Sequence, residues 1–266
     1  MSEKFLERLA SLPLLRQIAI RFLKSTARDI TMSNPYSKKR ITINSYNHKG
    51  YWFFRGFRED ATIKSLTKII QKDGVVIEIG GHIGFITHLY SKLVGQKGKV
   101  FVFEPGVNNL IYTRKNLSSL DNVELIEKAC GETNGTVTFY LDGLSGQNNS
   151  LLSDYENVET VAKSHGENAT RNEVAVQVIK AEDFVSSRNL TVSHMKIDVE
   201  GAELQALKGL TKYLGKIPSL MVEVTRDEDQ VRQMMSEFGY IAHDVQLNPL
   251  SATSKLQGNV FFLLAS

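Results

Sequence analysis

The 266-residue chain has a single cysteine, Cys130, so no intrachain disulfide can staple it, and a reducing compartment fits. A small buried residue at a strand end is the expected role for that thiol. No run of about 18 uninterrupted apolar residues occurs, so no transmembrane helix is expected. Excess charge of one sign is missing too. Against 29 acids stand 32 Lys and Arg, a formal net charge of +3. That falls short of the basic stripe that phosphate-backbone binding displays, so no nucleic-acid partner is expected. The six histidines show no zinc-ligand spacing, and the absence of Gly-Lys-Ser/Thr after a glycine turn excludes a Walker-type phosphate loop.

What remains is an ordinary globular composition, 42% hydrophobic and 23% charged, long enough for one large core with appendages. Residues 1–30 place apolar side chains at helical spacing among Arg8, Arg16, Arg21, Lys24 and Arg28. Arg16 interrupts what would be a signal-peptide core, and no small-residue cleavage site follows, so a cytoplasmic location is expected. Two readings of this segment stay open: helices capping the main domain, or a basic amphipathic stretch making peripheral contact with an anionic membrane. Residues 40–58 read as short strands around a turn at Lys49-Gly50, their aromatic and basic side chains forming a lid on the core. Residues 1–60 are thus expected to be an N-terminal helical and aromatic cap, and 61–266 the main domain.

From Gly74 onward, strand and helix patterns alternate. Strands are expected at 75–79, 99–105, 122–129, 193–199, 219–224, 240–245 and 259–265, and helices at 84–94, 108–118, 203–214 and 227–238. Segments 135–141 and 173–180 alternate apolar and polar residues and read as an antiparallel pair around a polar insertion. The expected fold is α/β: a Rossmann-like, doubly wound, mostly parallel seven-stranded sheet with an antiparallel last strand, an extra β-pair and the N-terminal helical/β appendage. Loop 142–173 has few apolar anchors, and loops of that length in compact domains are usually functional lids or disordered segments.

The stretch VVIEIGGHIGFITHLY, residues 75–90, reads as strand, glycine turn and helix. Such turns usually offer amides to an anion. Here Glu78 closes the strand, Glu104 ends the second, Asp198 and Glu200 end the fourth, and Glu223 lies near the end of the fifth. Ligands of open α/β sheets bind outside those strand ends. Converging carboxylates repel a pyrophosphate and suit a ligand bearing an ammonium, a sulfonium and a ribose, which is S-adenosylmethionine. The rival is an NAD-dependent oxidoreductase, from the glycine turn and Glu104. Against it stand Glu78 and the lack of a Tyr-x-x-x-Lys pair. A non-catalytic membrane-surface or scaffold protein with the same fold is the second rival.

Glu78-Ile-Gly80-Gly81-His82-Ile-Gly84 resembles motif I of class I methyltransferases, and Glu104-Pro105 resembles their second-strand acid. MKIDVEGAELQALKG, with Lys196, Asp198, Glu200, Gly201 and Glu203, closely resembles the signature of the FkbM family of SAM-dependent methyltransferases. The similarity runs from about Gly74 to Asp244. His82 stands where that family commonly has a smaller residue, and Glu78 replaces the commoner Asp. The resemblance implies O-methylation of a hydroxyl on a sugar, glycan or small natural-product-like acceptor. The cofactor set is expected to be Glu78, Gly80, Gly81, His82, Gly84, Phe85, Glu104, Pro105, Ala129 and Asp198. Asp198 leads the catalytic set, as base or as orienter of the methionine ammonium. Glu200 and, from the polar loop, His165 join it. Gln147, Asn148, Asn149, Ser150 and Glu223 are the expected acceptor contacts. No metal is expected, Mg²⁺ on Asp198, Glu200 and Glu223 being the alternative.

Overall fold

The computed structural model describes residues 20–53, 60–143, 145–153 and 171–265. Expectations for residues 1–19, for the aromatic stretch from residue 54 and for the loop segment 154–170 with His165 lie outside the described residues. In chain order the elements are β1 (Asp29–Ser33), β2 (Arg40–Asn44), α1 (Lys49–Phe53), α2 (Asp60–Ile69), β3 (Val75–Ile79), α3 (Thr87–Val94) and β4 (Lys99–Phe103). Then come α4 (Val107–Leu117), β5 (Val123–Ile126), β6 (Ala129–Cys130), β7 (Gly135–Asp142), β8 (Arg171–Ile179) and α5 (Ala181–Ser187). The chain continues through β9 (His194–Ile197), α6 (Glu203–Lys208), β10 (Ser219–Val224), α7 (Glu228–Glu237), β11 (Tyr240–His243) and β12 (Gly258–Leu264).

Seven strands form the main sheet in the order β11-β12-β10-β9-β3-β4-β5, with β12 antiparallel to both its neighbours and the pairs from β10 to β5 parallel. That is the expected doubly wound sheet. Its strands are apolar on both faces because both are covered. Ile77, Ile79, Phe103, Met195, Ile197 and Val222 pack with Phe184, Leu207, Val231 and Met235 on one side. Val76, Val100, Val102 and Met221 pack with Leu66, Leu89, Tyr90 and Leu117 on the other. Winding reverses between β3 and β9, so a crevice opens at their carboxyl ends. The expected extra pair is present: β7 runs antiparallel to β8, and β6 joins the other edge of β8 to make a second, three-stranded sheet.

Four readings need correction. The expected strand through 51–53 is instead helix α1. Tyr51 and Trp52 satisfy a β pattern, but the Trp52 indole N–H donates to the Ser45 carbonyl at 2.8 Å and Tyr51 packs on Phe85, which curls the chain. β2 pairs instead with β1, a strand not expected. The strand expected at 122–129 is two: β5 stays in the main sheet and β6 crosses to the second. The helix expected to reach Leu214 stops at Lys208 and is followed by a single 3-10 turn over Thr211–Tyr213, with Gly209 between them so close to Gly131 that a Cβ there would lie 2.0 Å from its carbonyl oxygen. The helices α2 and α5 lay outside the sequence expectation altogether.

The β1–β2 hairpin is fastened to the main domain. Ile41, Ile43, Ile83 and Phe85 share one buried cluster. Asn116 donates to the Thr42 and Ile83 carbonyls and accepts from the Thr42 amide, all within a buried setting.

Candidate active site

Three strand tips build the site, and strand register decides which side chains meet there. β3 sets Glu78 beside Lys196 of β9, and β10 sets Met221 beside Lys196. Side chains alternate along a strand, so Asp198 follows Lys196 on the same face, and Glu223 comes level with Asp198. Four charged groups are thereby gathered at one end of an otherwise apolar sheet.

Lys196 is the hub. Its ammonium donates to the Gly80 carbonyl at 3.0 Å, pairs with Asp198 Oδ2 at 3.0 Å and lies 3.5 Å from Glu78 Oε1. An ammonium has three hydrogens, and three acceptors surround this one. Burial works against the charge on Lys196, but Asp198 and Glu78 outweigh it and hold the ammonium protonated. Glu78 is 1% exposed and accepts the Thr87 hydroxyl at 2.6 Å, and burial raises its pKa.

At the outer edge of this network Asp198 and Glu223 face each other, with carboxyl oxygens within 4.8 Å. The charge on Asp198, reinforced by burial, pushes Glu223 up to about 10. Burial also opposes the charge on Asp198, but Lys196 and the neighbouring Glu223 prevail and hold it below the usual carboxylate range. The two therefore titrate as a pair that shares one proton at neutral pH. Glu200, in left-handed backbone at φ +51°, comes close enough that Asp198, Glu200 and Glu223 each place an oxygen within 4.8 Å of the others.

The glycine turn supplies shape. Gly80 has φ +88°, and a Cβ on it would lie 1.8 Å from the Asp198 carbonyl oxygen, so the tips of β3 and β9 touch as only glycine permits. Across the crevice Glu104, 4% exposed, accepts from the His82 amide at 2.7 Å, the Gly106 amide at 2.9 Å and the Asn109 side chain at 3.2 Å. Burial nevertheless pushes it up to about 7. A carboxylate offers about four acceptor directions, so about one remains for a ligand.

A cavity of about 360 Å³ joins these parts, within the range of small-molecule sites. Of the residues expected at the cofactor, Gly80, His82, Glu104, Pro105, Ala129 and Asp198 line it. Glu200, Glu223, Gln147, Asn148 and Asn149 line it too. A smaller cavity of about 100 Å³ takes in Glu78, Gly81 and Phe85, and shares Tyr51, His82, Asp198 and Glu223 with the first. Gly84 lines neither and packs against Leu117. Ser150 lines neither and donates to the Glu200 carbonyl at 2.7 Å. The polar loop is tied to itself and to the β4 side of the cavity: Asp142 Oδ2 accepts from Ser145, Gly146 and Asn148, while Asn149 bonds Asn108. Glu203 clamps the turn after β9, accepting from the Gly201 amide and the Thr225 hydroxyl. Cys130 is buried, which pushes its thiol pKa up and makes it a wall, not a nucleophile. Sequence reasoning missed Asn109, Thr225 and the depth of Lys196's role. The one available signal for the last was a lysine inside an apolar strand.

The family profile of the FkbM methyltransferase domain matches residues 78–242. The chain belongs to the FkbM methyltransferase family. Curated relatives agree with that membership. The hexuronic acid methyltransferase AglP of Haloferax volcanii is 26% identical over 213 residues, covering 79% of this chain and 80% of that protein. The 2-O-methyltransferase NoeI of Sinorhizobium fredii is 24% identical over 179 residues, 62% of this chain and 69% of that one. Among solved structures, the fibrillarin of Aeropyrum pernix with bound S-adenosylmethionine aligns at a TM-score of 0.43 with 11% identity, over 78% of this chain and 74% of that chain. This FkbM protein is a SAM-dependent methyltransferase, and the nicotinamide and scaffold readings of its glycine turn are not favoured.

Proposed function

We propose that the enzyme methylates a hydroxyl group on a sugar or sugar-like acceptor, and that the Asp198–Glu223 pair receives the proton that this hydroxyl loses. The single observation that carries the reading is the meeting of those two carboxyls at the cavity wall, where their oxygens come within 4.8 Å of each other. The relatives named for hexuronic acid and for 2-O-methylation support the acceptor class.

The lining fits the methyl donor. A cavity walled by carboxylates favours a cation, the free acceptor direction of Glu104 suits a ribose hydroxyl, and the backbone around Gly80 leaves room that a Cβ would fill. Glu104 and Asn109 would hold the ribose, Ala129 and Asn149 the base, and Asp198 with the Gly80 turn the methionine end. When bound, the donor supplies a methyl group already activated for displacement. The protein's own residues then have two tasks, alignment and proton removal. Alignment of two reactants can contribute roughly 7–11 kcal/mol. For proton removal a strong base is unnecessary: an alcohol oxygen that gains a methyl group becomes far more acidic than the alcohol. A carboxylate of ordinary or low pKa, such as Asp198, suffices to take its proton. Lys196 keeps Asp198 ionised and fixed in place. Glu223, protonated, keeps its partner's second oxygen oriented.

A carboxylate acceptor fits less well, because it has no proton to give and meets like charge. Mg²⁺ on Asp198, Glu200 and Glu223, whose oxygens lie within 4.8 Å of one another, is the alternative that the test separates. The test is transfer of labelled methyl from S-adenosylmethionine into uronic-acid-containing and neutral glycans, followed by mild alkali. Alkali-stable label, unchanged by EDTA, is expected. Alkali-labile label identifies a methyl ester and overturns the hydroxyl assignment, and loss of transfer in EDTA overturns the metal-free one.

A further inference from the structure

His82, in the middle of the glycine turn, is a non-glycine residue at φ +48°. Such a conformation persists when its surroundings hold it. Four polar contacts do so. Its amide donates to Glu104 at 2.7 Å, its carbonyl accepts the Thr113 hydroxyl, its Nε2 lies 3.3 Å from the Ser145 carbonyl, and its Nδ1 lies 2.9 Å from the Tyr51 hydroxyl. A carbonyl only accepts, so the neutral ring carries its proton on Nε2 and Nδ1 accepts from Tyr51. Burial, which pushes His82 down to about 4, keeps the ring neutral.

Tyr51 lies on α1, outside the segment that the family profile matches. Its ring stacks at 26° to that of His82 with centroids 5.8 Å apart, and the Phe85 ring centroid is 4.5 Å away. A line of hydrogen bonds therefore runs from α1 through His82 to the carboxylate facing the ribose position. The same ring reaches the polar loop at Ser145.

We propose that Tyr51 is a positioning residue for the methyl donor, contributed by the N-terminal segment, which holds His82 and through it Glu104 and the Ser145 loop in the donor-binding arrangement. The proposal rests on the donor assignment made above and adds to it a residue that acts from outside the matched domain. It also accounts for the histidine at a position where the FkbM resemblance led to expect something smaller. His82 and Tyr51 work as a pair.

The experiment is a double-mutant cycle read by calorimetric titration with S-adenosylhomocysteine, using full-length wild type, Tyr51→Phe, His82→Asn and the double variant. Removing one hydroxyl should weaken binding about five- to tenfold, the scale of one hydrogen bond. In the His82→Asn background the same change should cost less than about twofold, because asparagine takes left-handed backbone more readily and has no ring for Tyr51 to hold. Equal losses in both backgrounds, or no loss in either, overturn the proposal while leaving the donor assignment intact. Wild-type protein that takes up no S-adenosylhomocysteine overturns both. Nitrogen NMR of the His82 imidazole gives an independent reading. Tyr51→Phe should move the Nδ1 resonance and leave the ring neutral, and an unmoved resonance contradicts the contact.

Discussion

The turn after β3 and the turn after β9 both carry left-handed backbone, at Gly80, His82 and Gly84 in the first and at Glu200 and Gly201 in the second. Their polar groups are directed differently. In the first, amides and ring nitrogens are engaged with Glu104, Ser145 and Tyr51, and the glycines make room for the Asp198 carbonyl and Leu117. In the second, Glu203 and Ser150 fasten the backbone, so that Asp198 and Glu200 can turn carboxylates into the cavity. One turn is shape, the other is charge. Lys196 bonds to both, through the Gly80 carbonyl and Asp198.

Breaking that link should have the largest effect on stability. Lys196→Met leaves the buried Glu78 and the half-buried Asp198 without a counter-charge, and removing one partner of a buried ion pair typically costs about 3–5 kcal/mol. Denaturant unfolding at pH 7 checks this. The loss should shrink towards pH 5, because carboxyls raised by the missing ammonium take up protons in the folded state first. A Lys196→Met protein as stable as wild type at pH 7 would show that the two turns do not depend on this link.

A smaller effect is expected from the opposite end of β9, where His194 is fully buried and burial pushes it down to about 3. A histidine depressed in the folded state contributes stability above its unfolded pKa of 6.5, and that stability drains away as pH falls towards the folded value. His194→Gln, which keeps a donor towards Ser219, removes this one titration. The variant should lose about 1.6 kcal/mol less than wild type between pH 6.5 and 5, the slope approaching about 1.36 kcal/mol per unit for one proton only below the unfolded pKa. Equal pH slopes for the two proteins would contradict a buried neutral His194.

Much of this was legible in the sequence. β3 and β10 appear at the expected bounds because their apolar runs end sharply at glycine and at Thr225-Arg226. The acids at the strand ends were visible for the same reason. Which of them would share a hollow was not, since Glu78 and Lys196 are 118 residues apart and meet only through the register of β3 on β9. Glu78 was therefore grouped with Glu104, whereas its side chain turns to Thr87 and the smaller cavity. Asn148 and Asn149 looked like free hydrogen-bonding groups because their partner Asp142 sits at a strand end whose direction the sequence does not reveal. Nothing in the sequence marks Tyr51 as a partner of His82, 31 residues away. Its aromatic neighbours suggested a strand, and packing on Phe85 made a helical turn.

The central claim is that the turn after β9 carries the chemistry while the turn after β3 only shapes the donor site. Asp198→Asn keeps the size of the side chain and removes its charge, so the measurement is its single-turnover methyl transfer beside its affinity for S-adenosylhomocysteine. Transfer about 100-fold slower or worse, with affinity changed by less than about tenfold and the melting transition still cooperative, is the predicted result. Transfer at the wild-type rate would contradict it.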